Sequence, residues 1–225
     1  MDSVRVIEIK ENIFKSNEDE AEKLRESLKK NKTLLINLMS SPGSGKTTTL
    51  VKTLEKLKNK YKIAVMEADI DSAIDAKTIS DMGGIEAIQL HTGGMCHLTA
   101  NMTKQGIDEL KTKDLDLIII ENVGNLVCPA EFDTGSHVNV NILSVPEGDD
   151  KPLKYPLMYQ VCSLFLINKM DVAPYFDFSL EKAKENIKFR NKDAVIIPIS
   201  AKNDLGCDQF ANWIDNEIQK LKGEN

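Results

Sequence analysis

From residue 32 onward, short apolar runs alternate with longer stretches of mixed polarity. The runs fall at 34–39 (Leu-Leu-Ile-Asn-Leu-Met), 63–66, 85–90, 115–120 (Leu-Asp-Leu-Ile-Ile-Ile), 140–145, 161–167 and 194–199. Their length and near-continuous apolarity predict strands covered on both faces. Between most of them, segments 46–59, 74–82, 97–111, 152–160, 179–190 and 207–222 read as helices. This alternation predicts a mostly parallel sheet with helices on both faces, a three-layer α/β fold. Residues 11–31 are charged, with apolar Ile13, Phe14, Ala21, Leu24 and Leu28 at helical spacing. They predict an N-terminal amphipathic helix belonging to the same single domain, whose main body is 32–225. The stretch 122–138, rich in Gly, Asn, Asp and Pro, reads as a long loop, and long ordered loops in such folds tend to be functional.

Composition narrows the classes. The 225 residues are 41% hydrophobic, ordinary for a globular chain. Twenty-nine basic against thirty-five acidic residues give a net charge of −6, which argues against a nonspecific nucleic-acid binder. No apolar run approaches the roughly 20 residues of a membrane span. Met1-Asp-Ser-Val-Arg5 has no signal-peptide character, so a cytoplasmic location without membrane contact is expected. Cys96, Cys128, Cys162 and Cys207 are too few and too widely spaced for a disulfide framework.

The first chemistry lies where the strand ending at Met39 meets Ser40-Ser41-Pro42-Gly43-Ser44-Gly45-Lys46-Thr47, followed by Thr48 and a helix. Backbone N–H groups converging at a helix N-terminus bind phosphate, and glycine lets the backbone come close. Lys46 would reach the β- and γ-phosphates and the Thr47 hydroxyl would bind Mg²⁺. Ser40 stands where the usual pattern begins with Gly. The strand 115–120 leads into Glu121-Asn122-Val123-Gly124, where a carboxylate can hold Mg²⁺ and the Gly124 N–H can face the γ-phosphate. Asp69 and Asp75 are the other acidic candidates. One of these carboxylates would ligate Mg²⁺ and another would orient the attacking water; spacing alone does not rank them.

Asn168-Lys169-Met170-Asp171 selects the base. A carboxylate at Asp171 can accept from guanine N1–H and N2, a pair that adenine lacks. A backbone N–H within Ser200-Ala201-Lys202 can donate to guanine O6. Together with the phosphate loop these motifs predict a Mg²⁺-dependent GTP hydrolase of P-loop NTPase fold.

With those motifs placed, the chain resembles the HypB family of nickel-incorporation GTPases for nickel–iron hydrogenases. The likeness is carried by Met39–Thr47, Cys96-His97-Leu98, Glu121–Ala130 (Glu-Asn-Val-Gly-Asn-Leu-Val-Cys-Pro-Ala) and Glu147–Pro156 (Glu-Gly-Asp-Asp-Lys-Pro-Leu-Lys-Tyr-Pro). It implies that Cys96, His97 and Cys128 bind nickel or zinc, a donor set suited to either ion. It also implies a GTP-linked homodimer in which Lys154 reaches the partner's nucleotide. A hydrogenase large-subunit precursor and a companion nickel chaperone are the implied partners. Adjacent residues on a helix point roughly 100° apart, so Cys96 and His97 can share an ion only in a loop or at a helix start. Gly93-Gly94 just before them permits that. Cys162 and Cys207 read as core, and His91 and His137 as structural.

The chain departs from the family in residues 1–31, which hold neither Cys nor His where some members carry an extra nickel-binding stretch. It departs again at Gly94, where members tend to have Lys, and at Thr99. Cys128 lies four residues beyond Gly124, so a loop that moves on hydrolysis would carry a metal ligand with it. Nickel affinity or geometry is then expected to differ between GTP and GDP states. Two other readings remain open: a urease-type accessory GTPase, and a metal-binding protein for which GTP is only a structural switch.

Overall fold

The computed structural model describes residues 9–69 and 74–223, with side chains at 15–68 and 77–223. The expected carboxylates Asp69 and Asp75, and the apolar Ile13 and Phe14, lie outside the described side chains.

Helix α1 (Ile9–Lys30) leads into β1 (Leu34–Ser40), α2 (Lys46–Leu57), β2 (Ile63–Asp69), α3 (Ile74–Ser80) and β3 (Ile85–His91). Then follow α4 (Ala100–Glu109), β4 (Leu117–Glu121), α5 (Cys128–Glu131), β5 (Val138–Ser144), α6 (Lys151–Lys154) and α7 (Pro156–Val161). The chain closes with β6 (Leu164–Asn168), α8 (Leu180–Arg190), β7 (Val195–Pro198) and α9 (Cys207–Lys222). Among the described residues, seven strands form one parallel sheet in the order β3-β2-β4-β1-β5-β6-β7. Three-layer α/β architecture is what the alternating pattern predicted.

Burial follows position in the sheet. Every residue of β1, β4 and β6 is buried, while the edge strand β3 is mostly half-buried. Leu34, Ile36, Leu38, Leu50, Leu54, Phe210 and Ile214 belong to the core between the sheet and α2, α3 and α9. On the other face the core divides in two. Leu24, Leu28, Leu35, Leu98 and Ile118 pack under α1 and α4. Met39, Leu143, Tyr159, Phe165 and Ile187 pack under α7 and α8.

A ladder of amides fills the seam. Asn37 lies between Leu35 and Met39 on the same strand face and donates to Asn139 Oδ1 at 3.1 Å. Asn37 in turn accepts from Asn122 Nδ2 at 3.0 Å, and Asn139 Nδ2 donates to Val161 O at 3.2 Å. Asn37, Asn122 and Asn139 thus satisfy one another along the ladder, which is the condition for tolerating amides there.

Three local expectations need correcting. The helix expected over 97–111 is α4, Ala100–Glu109, because Thr99 caps it: its hydroxyl accepts from Met102 N–H at 3.3 Å. The helix expected over 152–160 is broken into α6 and α7 at Tyr155, since Pro156 disfavours helical backbone in the residue before it. The 122–138 loop contains the short α5, with a proline in its first turn.

Candidate functional site

Every predicted motif that is described lies at the carboxyl end of a strand, the edge where parallel α/β sheets bind ligands. The turn 41–45 after β1 needs left-handed backbone at Gly43 (φ +72°) and Gly45 (φ +97°), which glycine adopts without a Cβ clash. Gly45 then opens α2 with no side-chain cap, leaving first-turn N–H groups for a ligand. Lys46 is half-buried, and its Nζ rests 3.2 Å from Ser40 Oγ. Ser40 also accepts from Ser44 Oγ at 2.6 Å and donates to Ser41 O at 2.8 Å. The residue that departs from the usual loop pattern is thus a fully buried hydroxyl brace under the loop, a role that spacing gave no sign of.

Thr47 Oγ1 donates to Glu121 Oε1 at 2.9 Å. The hydroxyl and carboxylate expected to share an ion are in contact across the mouth of the loop, and Glu121 is buried. Such hard oxygen donors suit Mg²⁺. Gly124 lies against the phosphate loop itself. A Cβ there would stand 3.0 Å from the Pro42 backbone and ring.

Asn168 ends β6 and joins three loops. Its Nδ2 donates to Ser44 O at 2.9 Å, and its Oδ1 accepts from Lys169 N–H at 2.7 Å and Ala201 N–H at 3.1 Å. Lys169, with left-handed backbone at φ +64°, donates from Nζ to Gly43 O at 2.7 Å. Asp171 Oδ1 accepts from the buried Ser200 Oγ at 2.6 Å. Pro42, Thr48 and Lys202 are exposed. Lys154 is exposed as well, paired with Asp150 at 2.6 Å.

Cys96 and His97 sit in the loop before α4, reached through Gly93 (φ +64°) and Gly94 (φ +88°), while Cys128 is the first residue of α5. The sulfurs of Cys96 and Cys128 are 2.8 Å apart, Cys96 donating. One donor atom from each of Cys96, His97 and Cys128 can be chosen so that all lie within 4.8 Å of one another. His97 stacks on Phe132, ring centroids 3.8 Å apart, and its Nδ1 is buried without a hydrogen-bond partner. Burial holds the His97 pKa below its ordinary value, against the opposing charge of Glu131. The shared proton with Cys96, then burial, raise the Cys128 thiol above its usual range. Two sulfurs and an imidazole in this proximity match a soft or borderline divalent ion.

The remaining Cys and His are elsewhere. Cys162 and Cys207 are buried in the core; burial pushes the first thiol upward and the second up to about 11. His137 Nδ1 accepts from Leu35 N–H at 3.0 Å at the start of the central strands, and His91 is exposed at the end of β3. Among the described residues, no helix is long and apolar enough to cross a membrane.

Residues 34–198 match the family described as CobW/HypB/UreG, nucleotide-binding domain. The chain is 44% identical over 217 residues to the hydrogenase maturation factor HypB of Escherichia coli K12, covering 96% of this chain and 74% of that one. It is 43% identical over 185 residues to the hydrogenase/urease maturation factor HypB of Helicobacter hepaticus, covering 80% and 75% respectively. Among solved structures it superposes on HypB from Helicobacter pylori in complex with nickel with a TM-score of 0.85 at 37% identity, covering 91% of this chain and 96% of that one. With the 41–45 turn, the Asn168–Asp171 segment and the Cys–His–Cys cluster set along one sheet edge, the chain belongs to the HypB hydrogenase maturation factors of the CobW/HypB/UreG nucleotide-binding family.

Proposed function

We propose that this protein hydrolyses GTP and uses the cycle to time delivery of nickel to a nickel–iron hydrogenase precursor. The observation that carries the reading is the convergence of Cys96, His97 and Cys128 beside a loop that continues directly from Glu121–Gly124.

In this reading Lys46 leaves Ser40 and reaches the β- and γ-phosphates, cradled by the backbone of Pro42–Thr48. Thr47 and Glu121 would hold Mg²⁺, with Asp69 and Asp75 as candidates for a further ligand and for orienting water. The ion would neutralise charge on the β- and γ-oxygens. Gly124 N–H faces the γ-phosphate. Water attacks that phosphorus, the bond to the β-phosphate oxygen breaks, and GDP, phosphate and a proton leave. Asp171, fixed by Ser200, accepts from guanine N1–H and N2, and an amide of the Ser200–Lys202 loop donates to O6. Since Ala201 N–H already donates to Asn168, a second amide of that loop, or a shared bond, would serve O6.

Nickel is cargo in this scheme, and zinc fits the same donors. Cys96, His97 and Cys128 hold it, with an open position for water or a second subunit. Lys154 of a GTP-linked homodimer reaches the partner's nucleotide. Movement of the 121–128 segment on hydrolysis changes nickel affinity or geometry. The test is titration of Ni²⁺ and Zn²⁺ into the GTP-analogue and GDP forms, with Cys128→Ala as control and phosphate release measured alongside. Different nickel affinities in the two forms support the switch, and equal affinities overturn it. A Lys154→Ala protein that dimerises and hydrolyses GTP as the parent does would remove Lys154 from the scheme.

A urease precursor is the second candidate client, favoured by the hydrogenase/urease name carried by the Helicobacter hepaticus relative. Nickel transfer assayed against each apo-enzyme separates the two.

A further inference from the structure

Asn17 lies in α1, remote in sequence from both metal-ligand segments, and is only 9% exposed. Both ends of its amide are in use. Nδ2 donates to Asp133 O at 2.8 Å, and Oδ1 accepts from Ala100 N–H at 2.9 Å. Asp133 lies just beyond α5, which begins at Cys128. Ala100 is the first residue of α4, just after Cys96 and His97. One side chain thus bonds to each of the two segments whose cysteines and histidine must meet.

The Asp133 end is gripped from several directions. Its Oδ1 accepts from Gly135 N–H at 2.8 Å, and its Oδ2 pairs with Arg25 at 2.6 Å. Arg25 Nε also donates to Ser136 O at 3.0 Å. Gly135 sits so close to α1 that a Cβ there would be 2.8 Å from Leu24 Cδ2. Phe132, next to Asp133, carries the ring against which His97 stacks. Helix α1 therefore fixes the loop after Cys128, and Asn17 extends that hold to the start of α4.

We propose that Asn17 is a positioning residue for the metal site: its amide sets the separation of the Cys96–His97 and Cys128 segments so that three donors can share one ion. The inference rests on the reading of those three residues as nickel ligands. An amide suits the task because it offers a donor and an acceptor a fixed distance apart. Leu fills nearly the same volume with neither group. Asp keeps an acceptor for Ala100 N–H but loses the donor and turns an oxygen toward Asp133 O. Partners that orient metal ligands typically cost 10- to 100-fold in affinity when removed.

The experiment uses the full chain as parent, Asn17→Leu, Asn17→Asp and Cys128→Ala. Nickel chloride is titrated in competition with a chromophoric chelator, and thiolate-to-nickel charge-transfer absorption is recorded. GDP affinity and far-UV circular dichroism are measured on the same samples. Asn17→Leu is expected to weaken nickel binding roughly tenfold or more and to change the charge-transfer band, with GDP affinity and helix content retained. Asn17→Asp is expected to weaken it in the same direction, and it decides alone if the Leu variant does not fold. Parent-like nickel affinity and spectrum in a folded Asn17 variant, with Cys128→Ala having lost the site, overturn this inference alone. Nickel binding indifferent to Cys128→Ala overturns the ligand assignment and this inference with it.

Discussion

Gly45 and Asn168 are so close that no side chain fits between them: a Cβ on Gly45 would lie 2.6 Å from Asn168 Nδ2. The contact joins the turn after β1 to the loop after β6, and the Asn168 amide completes it by donating to Ser44 O. Two loops that are 124 residues apart in the chain are held as one surface.

Gly45→Ala should therefore fail twice over. The backbone at φ +97° costs an L-residue about 1–2 kcal/mol, and the methyl group must displace Asn168. Urea unfolding should show that loss of stability. GDP titration should show nucleotide affinity falling further than a phosphate-loop defect alone predicts, since Asn168 also holds Ala201. Parent-like GDP affinity would contradict the account.

The Thr47–Glu121 contact makes a prediction about magnesium. Glu121→Gln keeps the shape and an acceptor for Thr47 but removes the charge that would bind a divalent ion. Affinity for GTP in the presence of Mg²⁺ should fall by roughly tenfold or more toward the metal-free value, while affinity in EDTA stays put. Calorimetric titration with and without Mg²⁺ checks this.

The amide ladder is a stability element. Asn37→Leu would leave Asn122 Nδ2 without its acceptor in a buried seam, at a cost of about 2 kcal/mol. Replacing only one rung leaves the others unmatched, so the loss should exceed that of a typical Leu-for-Asn change at the surface. Chemical denaturation measures it.

His137 gives a pH dependence. Burial first, then the charge of Arg25, lower its pKa from the ordinary 6.5. The folded state thus favours the neutral ring, whose Nδ1 accepts from Leu35 N–H. In the unfolded chain His137 takes up a proton near pH 6.5, so the unfolded state binds more protons below that pH. The contribution is intact above pH 6.5 and is lost as pH falls toward the lowered folded value. The stability difference between pH 7.5 and 5.5, measured in urea, should shrink in His137→Asn.

The candidate motifs could be read along the chain because each is local. Ser40–Thr47, Asn168–Asp171 and Ser200–Lys202 are short contiguous runs, and the task proposed for each follows from residue types that adjoin in the chain. The strands were legible because those buried on both faces carry nearly unbroken apolar runs. Helix ends were less so. Thr99 looked like a departure from a pattern, yet it caps α4 and keeps Cys96 and His97 in a loop. The split between α6 and α7 depends on Pro156 acting on the residue before it, inside an otherwise helical stretch.

By itself, then, the sequence determined the α/β alternation, the loop that opens on α2 and the residue types at the Cys–His–Cys cluster. These depend on periodicity and on contiguous residues, which one dimension records. Only the tertiary structure decided that Ser40 braces the loop, that Asn168 ties Ser44 to Ala201, that amides fill the seam between two apolar clusters, and that Asn17 reaches both Asp133 and Ala100. Each is a polar bond between segments far apart in the chain. Its partner is chosen by packing, and no spacing along the chain encodes it.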